Sequence, residues 1–292
     1  MPTVTCLKST MTTLFVEQLT VIDASYLCPV RGLVGESWIV DLELEGALDE
    51  QSMVLDFGAV KKLLKRAIDD GPDHTLIVPL HYPGQQTTTL EDGRLRTQFM
   101  SQVGGIEHIA PAAALTLLEA PAVTPEALVA HLTPQLAAIV PRNVARIGIS
   151  LRHEHIEGAS YHYTHGLQKH QGNCQRIAHG HRSRIGIFVD GQRDTKLEAA
   201  WAETFRDIYL VTGSHVVQDD GERLSLAYTA PEGHFELILP KSRTYLLGAQ
   251  TDSTVEEIAE HLATQVGASK PGCHITARAY EGVMKGAIAH RA

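Results

Sequence analysis

The sequence predicts an α+β protein of two tandem, repeated units, each of strands and two helices. Three observations carry this. An ordered set of matching segments recurs in residues 11–155 and 156–292. Several stretches alternate apolar and polar residues with the period of two expected of half-buried strands. Between them lie stretches with apolar residues at helical spacing and recognisable caps.

The elements follow in order. Leu14–Tyr26 and Ser37–Leu44 read as strands, with β-branched and apolar alternation. Val60, Leu63, Leu64, Ala67 and Ile68 recur at helical spacing, which predicts an amphipathic helix over Phe57–Asp70. Thr124 is a good N-cap and Pro125 suits the first helical position, so a second helix runs to about Ile139. Val144–His153 alternates again. In the second unit, Ile185–Val189 is an apolar strand, and Leu197–Leu210 and Val255–Val266 read as helices, the latter opened by a capping box of Ser253 and Glu256. Ile275, Ala277 and Ala279 share one face of a closing strand that reaches Glu281. Gly93–Ser101 and Arg223–Tyr228 look like hairpin strands added to each unit.

The repeat is read from ordered matches. Asp73-His74 precedes Asp92-Gly93-Arg94-Leu95, as Ser214-His215 precedes Asp220-Gly221-Glu222-Arg223-Leu224. Ile109-Ala110-Pro111 leads to Thr124-Pro125-Glu126, as Ile238-Leu239-Pro240 leads to Ser253-Thr254-Val255-Glu256.

Composition narrows the function. A net charge of −9 argues against a general nucleic-acid binder, which carries a basic face. No apolar run reaches the ~18 residues of a membrane span. Residues before Met11 read as a ragged extension without a signal-peptide pattern. Four scattered cysteines, Cys6, Cys28, Cys174 and Cys273, suit no disulfide framework, and a reduced, cytoplasmic protein is expected.

The densest chemistry lies between His165 and His181. His179-Gly180-His181 opens a strand, so both imidazoles point to one face. With His165 from a neighbouring strand they make a three-nitrogen set, which zinc accepts while keeping a fourth position open. Four residues separate Cys174 from the pair.

These motifs resemble the family of 6-pyruvoyl- and 6-carboxy-tetrahydropterin synthases. His165 matches the histidine of its aromatic-x-Ala-x-His strand, and Cys174 and His179-Gly180-His181 match the cysteine and His-Gly-His that follow. Met53-Val54-Leu55-Asp56-Phe57 matches its strand-to-helix step, and Asp73-His74 its Asp-His pair. The resemblance implies two tandem T-fold (tunnelling-fold) domains, each a four-stranded antiparallel sheet with two helices on one face plus an inserted hairpin. It implies Zn²⁺ on His165, His179 and His181, Cys174 as the base, and Glu281 gripping a pterin, with Thr254 and Glu256 in the Pro-Thr-x-Glu position. The T-fold order also implies a homo-oligomer, because open sheets leave edges.

The motifs are divided between the units. In the first, Tyr26 stands for the first histidine and Val34-Gly35-Glu36 for His-Gly-His, so no zinc is expected there; Cys28 reads as a buried structural thiol. His153 and Glu154 compete for the place of the late glutamate. In the second, Ser214-His215 stands for Asp-His, which makes His215 the rival of His74. The expected site therefore joins Cys174 and zinc of one unit to the Asp73-His74 relay of the other. The expected reaction is a zinc-dependent lyase step from 7,8-dihydroneopterin triphosphate to 6-carboxy-5,6,7,8-tetrahydropterin, on the route to queuosine. The alternatives are a 6-pyruvoyl-tetrahydropterin synthase, which eliminates triphosphate without cleaving the side chain, and a non-catalytic pterin-binding protein.

Overall fold

The computed structural model describes residues 11–292; Cys6 and the expected extension lie outside the described residues. The chain begins with β1 (Met11–Cys28), β2 (Gly32–Ala47), α1 (Phe57–Asp69), β3 (Leu76–Pro79), β4 (Gln85–Thr89), β5 (Leu95–Ser101), β6 (Gly104–Ala110), β7 (Leu115–Leu118), α2 (Pro125–Ala137) and β8 (Val144–Arg152). It continues with β9 (Ser160–His165), β10 (His179–Val189), β11 (Gln192–Arg193), α3 (Thr195–Thr204), β12 (Ile208–Thr212), β13 (Val216–Asp219), β14 (Arg223–Ala230), β15 (Gly233–Pro240), β16 (Thr244–Gly248), α4 (Val255–Ser269), β17 (Ile275–Tyr280) and β18 (Gly286–Arg291).

Two sheets have matching strand orders. The first is β7-β3-β1-β2-β8; the second is β16-β12-β9-β10-β17-β18, with β11 on β10. The fold is thus α+β, but the expectation of four antiparallel strands per sheet is corrected to five and seven, with parallel pairs. β1/β3, β3/β7, β9/β12 and β12/β16 run parallel. The inserted strands do not stay with their own sheets. They combine in a third, six-stranded sheet, β13-β14-β15-β6-β5-β4, whose middle joint is the antiparallel pair β15/β6. A period-two pattern marks a strand and its buried face, but it carries no information about which edge the strand will find.

Local chemistry explains most boundaries. Asp56 caps α1 by accepting from the Gly58 amide, and the preceding Val54 and Leu55 are buried, so the Met53–Phe57 step is a capped entry to a helix. Thr124 caps α2 through the Ala127 amide. The cap of α4 is Thr254, which accepts from the Glu257 amide, rather than Ser253. The expected helix over Leu197–Leu210 stops at Thr204; Ile208–Thr212 is a strand buried at every position. Such a short apolar run suits a buried parallel strand as well as a helix, and only its neighbours decide.

Each main sheet covers its own core. Ile22, Trp38 and Leu42 meet Leu64 of α1 and Leu132 of α2. Tyr161, Ile187 and Ala277 meet Ile258 and Leu262 of α4. A third core lies under the joint sheet, where Phe99 and Ile106 pack with Tyr228, Phe235 and Leu237.

The two main sheets touch where the β1/β2 and β9/β10 ribbons cross. A Cβ on Gly35 would stand 1.9 Å from the Tyr163 carbonyl oxygen, and one on Gly180 would stand 2.4 Å from the same atom. Both positions therefore exclude any side chain. Around this point Ser25 and Thr164 hydroxyls are 2.8 Å apart, and the Arg182 amide donates to the Ser37 hydroxyl at 3.1 Å. No helix among the described residues is long and apolar enough to cross a membrane.

Candidate active site

The three histidines are set by strand register. In the β9/β10 pair His165 lies opposite His179, and Tyr163 lies opposite His181. Side chains alternate along a strand, so all three imidazoles share one face. All three are 0 % exposed. His165 Nδ1 lies 2.8 Å from the Ser253 carbonyl and His179 Nδ1 lies 3.0 Å from the Arg176 carbonyl. A carbonyl can only accept, so both rings carry the proton on Nδ1 and turn a lone pair on Nε2 inward.

His165 Nε2 and His181 Nε2 are 3.2 Å apart, and ligand atoms of the three histidines lie within 4.8 Å of one another. His179 Nε2 is buried without any hydrogen-bond partner. Burial, with the neighbouring imidazoles, holds the pKa values of His165 and His179 well below the ordinary range, so both rings are neutral. Three convergent imidazole nitrogens, one of them buried without a partner, are a donor set that fits a metal ion.

A second metal-capable group overlaps the first: His74, Cys174 and His179. It joins the two parts of the chain. Cys174 sits in the turn Asn173–Gln175 before β10, and its carbonyl accepts the Leu167 amide at 3.0 Å. His74 ends the loop before β3 with φ 55°, the left-handed region that L-residues seldom adopt. Its amide donates to the Asp23 carbonyl at 2.7 Å, and its Nδ1 donates to Asp73 Oδ2 at 2.7 Å. The other Asp73 oxygen accepts the Asp23 amide at 2.8 Å. Burial acts to lower the His74 pKa, but hydrogen bonds to Asp73 and Cys174, with their charges, outweigh it and raise it to about 10. His74 is then an imidazolium at neutral pH, pressed against the cysteine sulfur.

These groups border a cleft of about 540 Å³ lined by Asp23, Asp73, His74, Cys174, Val283 and Lys285 among others. Glu281 stands beside it: its Oε1 is 4.0 Å from His181 Nε2 and its Oε2 is 3.6 Å from Lys285 Nζ. The structure thus brings together His165, His179, His181, Cys174, Asp73, His74 and Glu281.

It does not bring in the others. Thr254 spends its hydroxyl on the α4 cap, Glu256 is exposed on that helix's first turn, and neither lines the cleft. The register also corrects the alignment of Ser214-His215 with Asp73-His74. Leu76 pairs with Ser25 as Tyr209 pairs with Thr164. The residues preceding those strands by the same count are Asp73-His74 and Arg206-Asp207. Asp207 repeats the φ of 55° and donates its amide to the His162 carbonyl as His74 does to Asp23. His215 is instead 2 % exposed, packed on the Tyr228 ring at 4.4 Å, with its pKa lowered by burial to about 4. The sequence match failed because Ser214-His215 follow β12, the start of which reads as helix, whereas Asp73-His74 precede β3.

By the same registers Tyr26, Val34 and Glu36 occupy the places of His165, His179 and His181. Among the described residues, neither metal-capable group includes them. Cys28 is half-buried and accepts the Arg31 amide at 3.4 Å. His153, not Glu154, takes the register of Glu281, because Val40/Leu151 corresponds to Ile185/Ala279. Two residues of the site escaped the sequence reading, Asp23 and Lys285. The only signal for Asp23 was an aspartate inside an otherwise apolar stretch of strand, an unfavourable residue there.

A family model described as 6-pyruvoyl tetrahydropterin synthase matches residues 29–163. The chain contains a domain of that family. The match ends two residues before His165. Solved structures of 6-pyruvoyltetrahydropterin synthases are similar to part of the chain. One, from Plasmodium vivax, is 17 % identical, covers 49 % of this chain and 98 % of its own, and has a TM-score of 0.39. One from Plasmodium falciparum is 18 % identical, covers 48 % and 90 %, and has a TM-score of 0.40. A further Plasmodium vivax structure, of a catalytic-residue mutant, is 17 % identical, covers 49 % and 98 %, and has a TM-score of 0.39. No curated protein matches the chain. The matched family is described by the pyruvoyl product, which overturns the expectation of a 6-carboxy product on the queuosine route.

Proposed function

We propose that this chain, which carries a 6-pyruvoyl tetrahydropterin synthase family domain, is a zinc-dependent lyase of that type, eliminating triphosphate from 7,8-dihydroneopterin triphosphate with its side-chain carbons kept. The observation that carries the proposal is the position of Cys174, with its sulfur within 4.8 Å of ligand nitrogens of both His179, from the three-histidine set, and His74, which Asp73 holds. The pterin description of the matched domain supports the substrate class.

In this reading His165, His179 and His181 hold zinc. The bound ion supplies Lewis acidity that polarises side-chain oxygens and acidifies the neighbouring C–H and O–H groups. Cys174 takes the carbon-bound proton. The His74 imidazolium stabilises negative charge on that sulfur and is held in place by Asp73 on Nδ1. Glu281 accepts the amino and ring N–H groups of the pterin, a bidentate match for a carboxylate. His181 Nε2 and Glu281 Oε1 are 4.0 Å apart, so a pterin held by Glu281 would lie beside the metal set.

The matching strand orders support a duplicated chain, with units at 11–155 and 156–292, one keeping the relay and the other the metal ligands. A homo-oligomer belongs to the same proposal, since β7, β8, β16 and β18 are sheet edges. Light scattering at micromolar concentration tests it, and an active monomer contradicts it.

The test of function is a product assay on purified protein with 7,8-dihydroneopterin triphosphate. Released triphosphate with a pyruvoyl product, and no acetaldehyde, is the expected result. Binding of pterin without turnover contradicts the proposal.

A further inference from the structure

The zinc set is built on one pair of strands, but a buried carboxylate from the other half of the chain faces it. Asp23 lies on β1, and only 3 % of it is exposed. Its Oδ1 stands 3.2 Å from His181 Nδ1 and takes the Ser37 hydroxyl at 2.5 Å. The His181 N–H is not aligned into a formed hydrogen bond on that oxygen. Lys285 Nζ lies 3.6 Å from Oδ2. The other two histidines turn Nδ1 to main-chain carbonyls, so His181 alone has a charged partner on that nitrogen.

We infer that Asp23 is a positioning residue for the metal site, holding His181 in the tautomer and orientation that turn Nε2 to the ion. The inference rests on the zinc reading of the three histidines. A carboxylate behind a ligating imidazole fixes its ring and raises its basicity. Asp23 also ties this ligand to the relay. Its main-chain carbonyl receives the His74 amide and its main-chain amide donates to Asp73. One residue therefore sets the spacing between metal ligand and imidazolium.

The mirror position argues that this contact is where the two halves are coupled. His162 matches Asp23 in register, and its Nδ1 stands 3.7 Å from Glu36 Oε2, the group in the place of His181. The acid–imidazole contact across the crossing recurs with the two roles exchanged. His162 gives its Nδ1 to the Gly35 carbonyl at 2.8 Å, so there it serves the packing of the ribbons.

The experiment is zinc affinity of the full chain, by competition with a chromophoric chelator, beside unfolding midpoints with and without zinc. Asp23→Ala should bind zinc about 10–100-fold more weakly, the usual cost of losing such a partner. Asp23→Asn, which keeps an acceptor oxygen, should recover part of the loss. Ser37→Ala, which leaves the carboxylate in place, should match the parent. Asp23→Ala or, if that chain does not fold, Asp23→Asn with parental affinity overturns the inference, as does a stability loss equal with and without zinc. A parent chain that binds no zinc overturns the metal reading itself and this inference with it.

Discussion

The site around His181 and its mirror around Glu36 share a backbone and almost nothing else. Each has two crossing strands, a left-handed residue before a parallel strand, and a contact to a residue just past β8 or β17. In one, His181 faces Asp23 and Glu281, with His74 at the left-handed position. In the other, Glu36 faces His162 and His153, the latter at 3.3 Å, with Asp207 at the left-handed position. Asp207 is paired with Arg31 on both oxygens, and Arg31 Nη1 also reaches the Tyr26 hydroxyl at 3.1 Å. Where the first site leaves nitrogens unpartnered, the second satisfies its charged groups internally. A cluster of convergent histidines and a settled polar core can thus be built on one frame, and partner bookkeeping distinguishes them.

The comparison can be broken most severely at the ligands. His179→Ala with His181→Ala should remove all zinc, and the parent should hold one zinc per chain by elemental analysis. Two tightly held ions per chain would show that the mirror site is also a metal site. Next in size is the relay. Cys174→Ala and His74→Ala should each keep zinc and lower turnover by roughly 10²–10⁴-fold, the range of general acid–base groups. His215→Ala should retain near-parental turnover. The reverse result for His74 and His215 would make the second half self-sufficient.

A smaller effect is expected in the mirror. Arg31→Met leaves the Asp207 carboxylate, whose side chain is 9 % exposed, without its cation. The expected cost is about 1–3 kcal/mol in denaturant unfolding, between an exposed and a buried pair, with zinc content unchanged. Loss of zinc in that variant would mean that the mirror supports the metal site directly.

At neutral pH the smallest effect concerns the joint sheet that holds the regions together. His108 on β6 pairs with Leu237 on β15, is 1 % exposed, and burial lowers its pKa to about 3. The unfolded chain takes up that proton at the ordinary histidine value, near 6.5. Stability should therefore fall as pH drops from about 6.5 toward 3 and be unaffected above that window. His108→Leu should flatten the acid limb of a melting-temperature profile, and an unchanged limb would remove His108 from the account.

The sequence by itself determined the local pieces: the α+β class, three of the four helices among the described residues nearly to their ends, the cap at Thr124, and the histidine set. Caps and i, i+2 pairs are short-range patterns, so residues close in the chain carry them fully. The absence of a histidine set at Tyr26, Val34 and Glu36 was legible for the same reason. The family resemblance was legible in the motifs, while its product was misjudged, since no residue of the motifs names the bond that breaks. Tertiary structure alone decided the rest. It took the inserted strands of both halves into one sheet, made Ile208–Thr212 a strand, and placed Arg206-Asp207 rather than Ser214-His215 opposite the relay. It also showed why Gly35 and Gly180 must be glycines, and it set Asp23 behind His181. Each of these depends on which chain segment lies across a gap of many residues, and that is settled by packing and edge pairing, on which local patterns are silent.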